Sequence, residues 1–178
     1  LLLELGVPVN VPDVGGWTAL HAASDSGNVE VADFLLNNQA NPNAKKDDGS
    51  TPLHAAAKRG HVMVARLLLA HGADIGVTDL GGATCLFSAV DGGQTRMIEF
   101  LLSSGADITH KKRGGWTVLH KACEWGRTGL VKFFVKQQSS LDVNVRQDEG
   151  ITCLYSACHF GHVDAAQFLV TCGADPNL

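Results

Sequence analysis

The chain has no apolar run approaching the roughly 18 to 20 residues of a membrane-spanning helix. It also has no basic excess: 14 Lys and Arg stand against 18 Asp and Glu, a formal charge of -4 with a pI near 6.0. The first absence excludes a helical membrane anchor within these residues, and no signal peptide is visible among them. The second disfavours a general nucleic-acid binder, which needs a basic stripe to displace condensed counterions. Lys45-Lys46 and Lys111-Lys112-Arg113 are local basic spots on solvated turns. No phosphate loop, dinucleotide glycine fingerprint or histidine-glutamate metalloprotease helix occurs, so no enzyme, catalytic residue or cofactor is expected. Five cysteines, an odd number without paired spacing, make no disulfide framework and favour a reducing compartment, cytoplasmic or nuclear.

What is present is repetition. Thr18, Thr51, Thr84, Thr117 and Thr152 follow at steps of 33, 33, 33 and 35 residues. In the same register run the glycines Gly27, Gly60, Gly93, Gly126 and Gly161 and the leucines Leu20, Leu53, Leu86, Leu119 and Leu154. Apolar triplets close the set, from Phe34-Leu35-Leu36 to Phe168-Leu169-Val170. A period of this size is the mark of a stacked solenoid. Each threonine is a helix N-cap, Pro52 fits the first helical position, and each glycine ends a first helix of about eight residues in the left-handed conformation. A second helix then carries apolar residues at helical spacing, as in Val62, Ala65, Leu68 and Leu69. One such unit cannot bury its apolar face, whereas stacked units can.

The best copy is Asp48-Gly49-Ser50-Thr51-Pro52-Leu53-His54-Ala55-Ala56-Ala57, then Gly60-His61, Leu67-Leu68-Leu69 and Gly72-Ala73-Asp74. In period and residues it resembles the ankyrin repeat, and the resemblance covers essentially the whole chain. It implies an all-α repeat solenoid of helix-turn-helix units with β-hairpin fingers, one domain over 1–178. Repeats are cut at 13–45, 46–78, 79–111, 112–146 and 147–178, with 1–12 the tail of a preceding repeat. Leu1-Leu2-Leu3 then falls in the middle of a helix, which suggests a longer chain or larger assembly. The family's motif histidine, kept as His21, His54 and His120, is expected to bond across to neighbouring backbone. Phe87 and Tyr155 replace it, and Cys85 and Cys153 replace the proline, so capping in repeats three and five is expected to be weaker. A two-residue insertion is placed within Lys136 to Leu141.

Such arrays bind partners through the fingers and exposed inner-helix positions of the concave face. Those positions are Trp17, Ser50, Ala83, Trp116 and Ile151 before each threonine, and the pairs Asp25-Ser26, Lys58-Arg59, Asp91-Gly92, Glu124-Trp125 and His159-Phe160. The expected partner-binding residues are Trp116, Trp125, Ile151, Phe160, Glu124, Arg113, Lys58, Arg59 and Trp17, and the expected partner is a protein or peptide, with no nucleic acid and no membrane. The alternative is a reader of methylated lysine, using Trp116, Trp125 and Phe160 as an aromatic cage with Glu124, Asp148 and Glu149 nearby. Cys153, Cys158, His159 and His162 match no common zinc spacing, no metal is expected, and the register assigns both cysteines to packing. Asn10, Asn43, Asn144 and Asn177 hold the position at which the family's asparagines are hydroxylated, or simply tolerate the turn.

Overall fold

The computed structural model describes residues 8–137 and 141–178. Leu1-Leu2-Leu3 and part of the segment from Lys136 to Leu141 that holds the inferred insertion lie outside those residues. The chain divides into two compact units, residues 1–107 and 108–178.

In the first unit three helix pairs follow one another: α1 (Ala19–Ser26) with α2 (Val29–Asn37), α3 (Pro52–Arg59) with α4 (Val62–Ala70), and α5 (Cys85–Gly92) with α6 (Thr95–Ser103). The inner helices α1, α3 and α5 pack side by side, and each outer helix packs on its own inner helix and on its outer neighbour. Leu20, Leu53 and Leu86, with Leu35, Leu68 and Leu101, are buried between the two rows. Ala23, Ala56 and Ala89 are buried too, and their small side chains let the inner helices approach closely. The second unit repeats the plan with α7 (Val118–Glu124) and α8 (Thr128–Gln137), then α9 (Cys153–His159) and α10 (Val163–Thr171). Its core holds Leu119, Leu130, Phe134, Leu154 and Leu169.

Successive repeats are pinned by the motif histidines. The amide of Thr18 donates to His21 Nδ1 at 3.2 Å, and His21 Nε2 lies 3.2 Å from the carbonyl oxygen of Ser50, in the next repeat. Thr51 and His54 repeat the geometry at 3.2 Å, with Ala83 O at 3.1 Å, and Thr117 and His120 at 3.4 Å, with Ile151 O at 3.1 Å. An amide can only donate and a carbonyl can only accept, so each ring is the neutral tautomer with its proton on Nε2. This meets the expectation for the histidine column.

The asparagine column is a second clamp. Asn43 Nδ2 donates to Gly72 O (2.9 Å) while its Oδ1 accepts from the Asp74 amide (2.8 Å). Asn10 bridges to Gln39 and Asn41 in the same way, and Asn144 to Gly173 and Asp175. These amides do more than tolerate a turn: each satisfies two backbone groups of the following repeat.

One expectation is left unconfirmed and two are corrected. Among the described residues the connections form turns with two isolated antiparallel bridges, Thr78 to Thr84 and Arg146 to Thr152, so the β-hairpin fingers are not confirmed. Single hydrogen bonds link neighbouring turns within each unit: Asp47 N to Gly15 O (3.0 Å) and Leu80 N to Asp48 O (2.8 Å) in the first, and Asp148 N to Gly114 O (2.9 Å) in the second. Repeat five keeps a cap, because Thr152 Oγ1 accepts from the Tyr155 amide at 3.1 Å, whereas Thr84 has no side-chain cap bond. Cys158 is exposed although Cys123, at the same register on α7 and packed beneath α9, is fully buried.

Candidate partner-binding surfaces

In the first unit the inner-helix side opens into a groove of about 510 Å³. Trp17, Lys46 and Asp48 stand at its finger side, Ala55 and Ser88 line it from the inner helices, and Asp25, Lys58 and Arg59 stand at the helix ends. Its charges largely answer one another. Arg59 Nε and Nη2 donate to the two carboxylate oxygens of Asp25 at 2.9 and 3.2 Å, and Lys46 Nζ donates to Asp48 Oδ2 at 3.0 Å while lying 4.7 Å from the Trp17 ring centre. Burial pushes the Asp48 carboxyl up, but the Ser50 amide and Lys46 outweigh it and hold the group at about 2. Of the sequence-predicted residues here, Arg59 is engaged in an ion pair, Lys58 is exposed, and Trp17 is half-buried against His21, ring centres 5.9 Å apart.

The second unit presents rings instead. Trp116 packs edge-on against His120 at 5.6 Å, as Trp17 does on His21, and is half-buried. Trp125, the residue that ends α7, is 54% exposed, with Lys121 Nζ 5.3 Å and the Arg127 guanidinium 5.7 Å from its ring centre. Phe160 ends α9 and is 51% exposed, edge-on to His159 and stacked near His162. His162 joins the two helix ends, its Nε2 donating to the Glu124 carbonyl at 3.0 Å, while the Glu124 carboxylate holds Lys121 at 3.1 Å. Ile151 is half-buried and gives its carbonyl to His120, and Arg113 is exposed in a short 3-10 turn, Arg113–Gly115.

His162 and its counterpart His61, which donates to the Asp25 carbonyl at 3.1 Å, were missed by sequence reasoning. They stand one place after the turn glycine of their own repeat and lie on the turn glycine of the repeat before. A Cβ built on Gly27 or Gly126 falls 2.4 Å from the imidazole Nδ1 of His61 or His162. The signal was available as a polar column beside the glycines: Asn28, His61, Gln94, Arg127 and His162. Of the four residues weighed for zinc, Cys153 is buried and Cys158 is exposed, and no group of three His, Cys, Asp or Glu side chains that could hold a metal ion occurs among the described residues. No described helix is long and apolar enough to cross a membrane.

Paired helices recurring every 33 residues, pinned side chain to backbone, define a helical repeat array whose free chemistry lies on its inner-helix and finger positions. A family model described as ankyrin repeats (3 copies) matches residues 38–112 and 110–178, and one described as ankyrin repeats (many copies) matches residues 2–54. The chain belongs to the ankyrin repeat family. No curated protein matches it. Ankyrin repeats are in general non-catalytic protein-interaction modules.

Proposed function

We propose that this array binds a peptide or folded protein through its inner-helix and finger residues, with the energetic centre on the second unit. The observation that carries this reading is the pair of exposed rings, Trp125 and Phe160, at the ends of neighbouring inner helices. Large rings open to water on positions that the register frees from the core are what a binding anchor requires, because covering them removes apolar surface from water. Trp116, Ile151, Glu124 and Arg113 form the surround, and Trp17, Lys58 and Arg59 belong to the polar face of the first unit. The methyl-lysine reading loses ground on the same geometry. The Trp125 ring already has Lys121 and Arg127 beside it, so a ligand cation would meet like charge where a cage needs carboxylates.

The test begins with capture of a partner by the intact array and its identification by mass spectrometry. Trp125→Ala is expected to weaken that partner at least about tenfold, the effect of losing a hot-spot anchor. Thermal stability should fall only slightly, since the ring is half in water. Unfolding of the variant, or an unchanged affinity, would make the rings structural and move the site elsewhere. In a peptide titration, a preference for trimethylated over unmodified lysine would restore the reader.

A further inference from the structure

The contacts of His21, His54 and His120 have a consequence beyond rigidity. In each, Nε2 already carries a proton directed at a carbonyl oxygen of the next repeat, and Nδ1 accepts from the threonine amide of its own repeat. The only ring atom able to take a further proton is Nδ1. A proton there sets two donors against each other at the 3.2–3.4 Å that now separate them. The threonine hydroxyl, 2.8–3.0 Å away, can turn to accept the new N–H, but the threonine amide that had donated to Nδ1 is left without that acceptor. The rings are between 0 and 4% exposed, so the imidazolium has no water to solvate it.

We propose that the three threonine–histidine contacts form a proton-sensitive latch between successive repeats, interrupted where Phe87 and Tyr155 take the histidine's place. Acid opens the latch at the joint after α1 and the joint after α3 in the first unit, and at the joint after α7 in the second. The groups that face the rings grade the response. His21 meets Lys46, Asp48 and the edge of Trp17, besides the Ser50 and Ala44 backbone. His54 meets Asp79 and Asp48, which favour its proton, against Lys45. His120 meets Lys111, the Trp116 ring and the Ile151 and Val145 backbone, with no carboxylate to favour its proton. Burial pushes all three below the ordinary 6.5. The unfolded chain then takes up protons first, so stability is intact above about pH 6.5 and is lost as pH falls from there toward the folded values. Phe87, 2% exposed, supplies the built-in control.

Amide hydrogen exchange on the unsubstituted chain, expressed as protection factors at about pH 7.5 and about pH 5, reads the latch directly. Protection at Thr18, Thr51 and Thr117 is expected to fall about tenfold more than at Thr84 and Thr152, whose repeats lack the histidine. An equal fall at all five threonines overturns the proposal. His54→Phe, which places repeat three's residue in repeat two, should remove Thr51 from the acid-sensitive set and leave Thr18 in it. Should that variant fail to fold, imidazole titration of the native chain by NMR decides: His21, His54 and His120 taking up protons through the ordinary range with unchanged amide protection also overturns the latch.

Discussion

Before their turn glycines the inner helices of the first unit carry Asp25-Ser26, Lys58-Arg59 and Asp91-Gly92, while those of the second carry Glu124-Trp125 and His159-Phe160. The backbone is the same, down to a histidine lying across the glycine and bonding a carbonyl two residues earlier in both Gly27 and Gly126. The side chains differ in what water does to them. Aspartate and arginine in the first unit are solvated and paired with each other, so covering them brings a partner little. The half-exposed rings in the second keep their cation and histidine neighbours and gain by having their open apolar surface covered. A repeat scaffold thus separates what holds the fold from what recognises a partner, and two units of one architecture end with opposite surface chemistry.

The largest way to disturb this comparison is to attack the shared backbone. Gly126 has φ +63 and its Cβ site is occupied by the His162 ring, whereas Gly161 has φ +76 and open space. Gly126→Ala must accept the left-handed strain and also displace an imidazole that bonds the Glu124 carbonyl; Gly161→Ala accepts the strain alone. We expect losses of about 3 and about 1 kcal/mol respectively, measured by denaturant unfolding. Equal losses would mean that the histidine is a passenger and that the column needs glycine for its dihedral angle alone.

A smaller effect separates the units at the column of Ser24, Ala57, Val90, Cys123 and Cys158. Ser24 Oγ is buried with no hydrogen-bond partner, while Ala57 and Cys123 place apolar atoms at the same register. Ser24→Ala copies the next repeat and removes an unsatisfied hydroxyl, so it should stabilise by about 1 kcal/mol, seen as a higher denaturant midpoint at unchanged slope. Destabilisation would show that the hydroxyl has a partner, such as a buried water.

The architecture was legible because threonine, glycine and leucine each answer a local demand that recurs every 33 residues: a cap, a reversal, a core contact. Each inner helix starts at the residue after its column threonine. Phe87 was legible only as a departure, and its outcome is mixed, since the ring fills its place in the core while Thr84 goes without a side-chain cap. The side-chain clamps were harder to see. Asn43 meets Gly72 across 29 positions and His162 meets Glu124 across 38, and no local propensity reports contacts of that separation. The candidate surface was legible as positions but not as surroundings. That Lys121 and Arg127 flank Trp125 depends on where α7 ends and how the chain turns after it. Cys158 shows the same limit from the other side: its column says buried, and the residue is exposed.

The smallest expected effect is the sharpest test of which face recognises a partner. Asp25 holds Arg59 by two well-made hydrogen bonds, a geometry that invites the conclusion that the pair matters. The arginine side chain is 58% exposed, however, and water and salt compete for both ends of such a pair. The Asp25 contact that belongs to the repeat joint is made by its backbone carbonyl, which His61 holds, and a side-chain substitution leaves that bond in place. Asp25→Ala should therefore leave the melting temperature within error and change partner affinity less than about threefold, against the tenfold expected of Trp125→Ala. An equal loss of affinity from both variants would show that the partner reads the charged groove of the first unit as closely as the rings of the second, and the energetic centre would have to be moved onto the polar face.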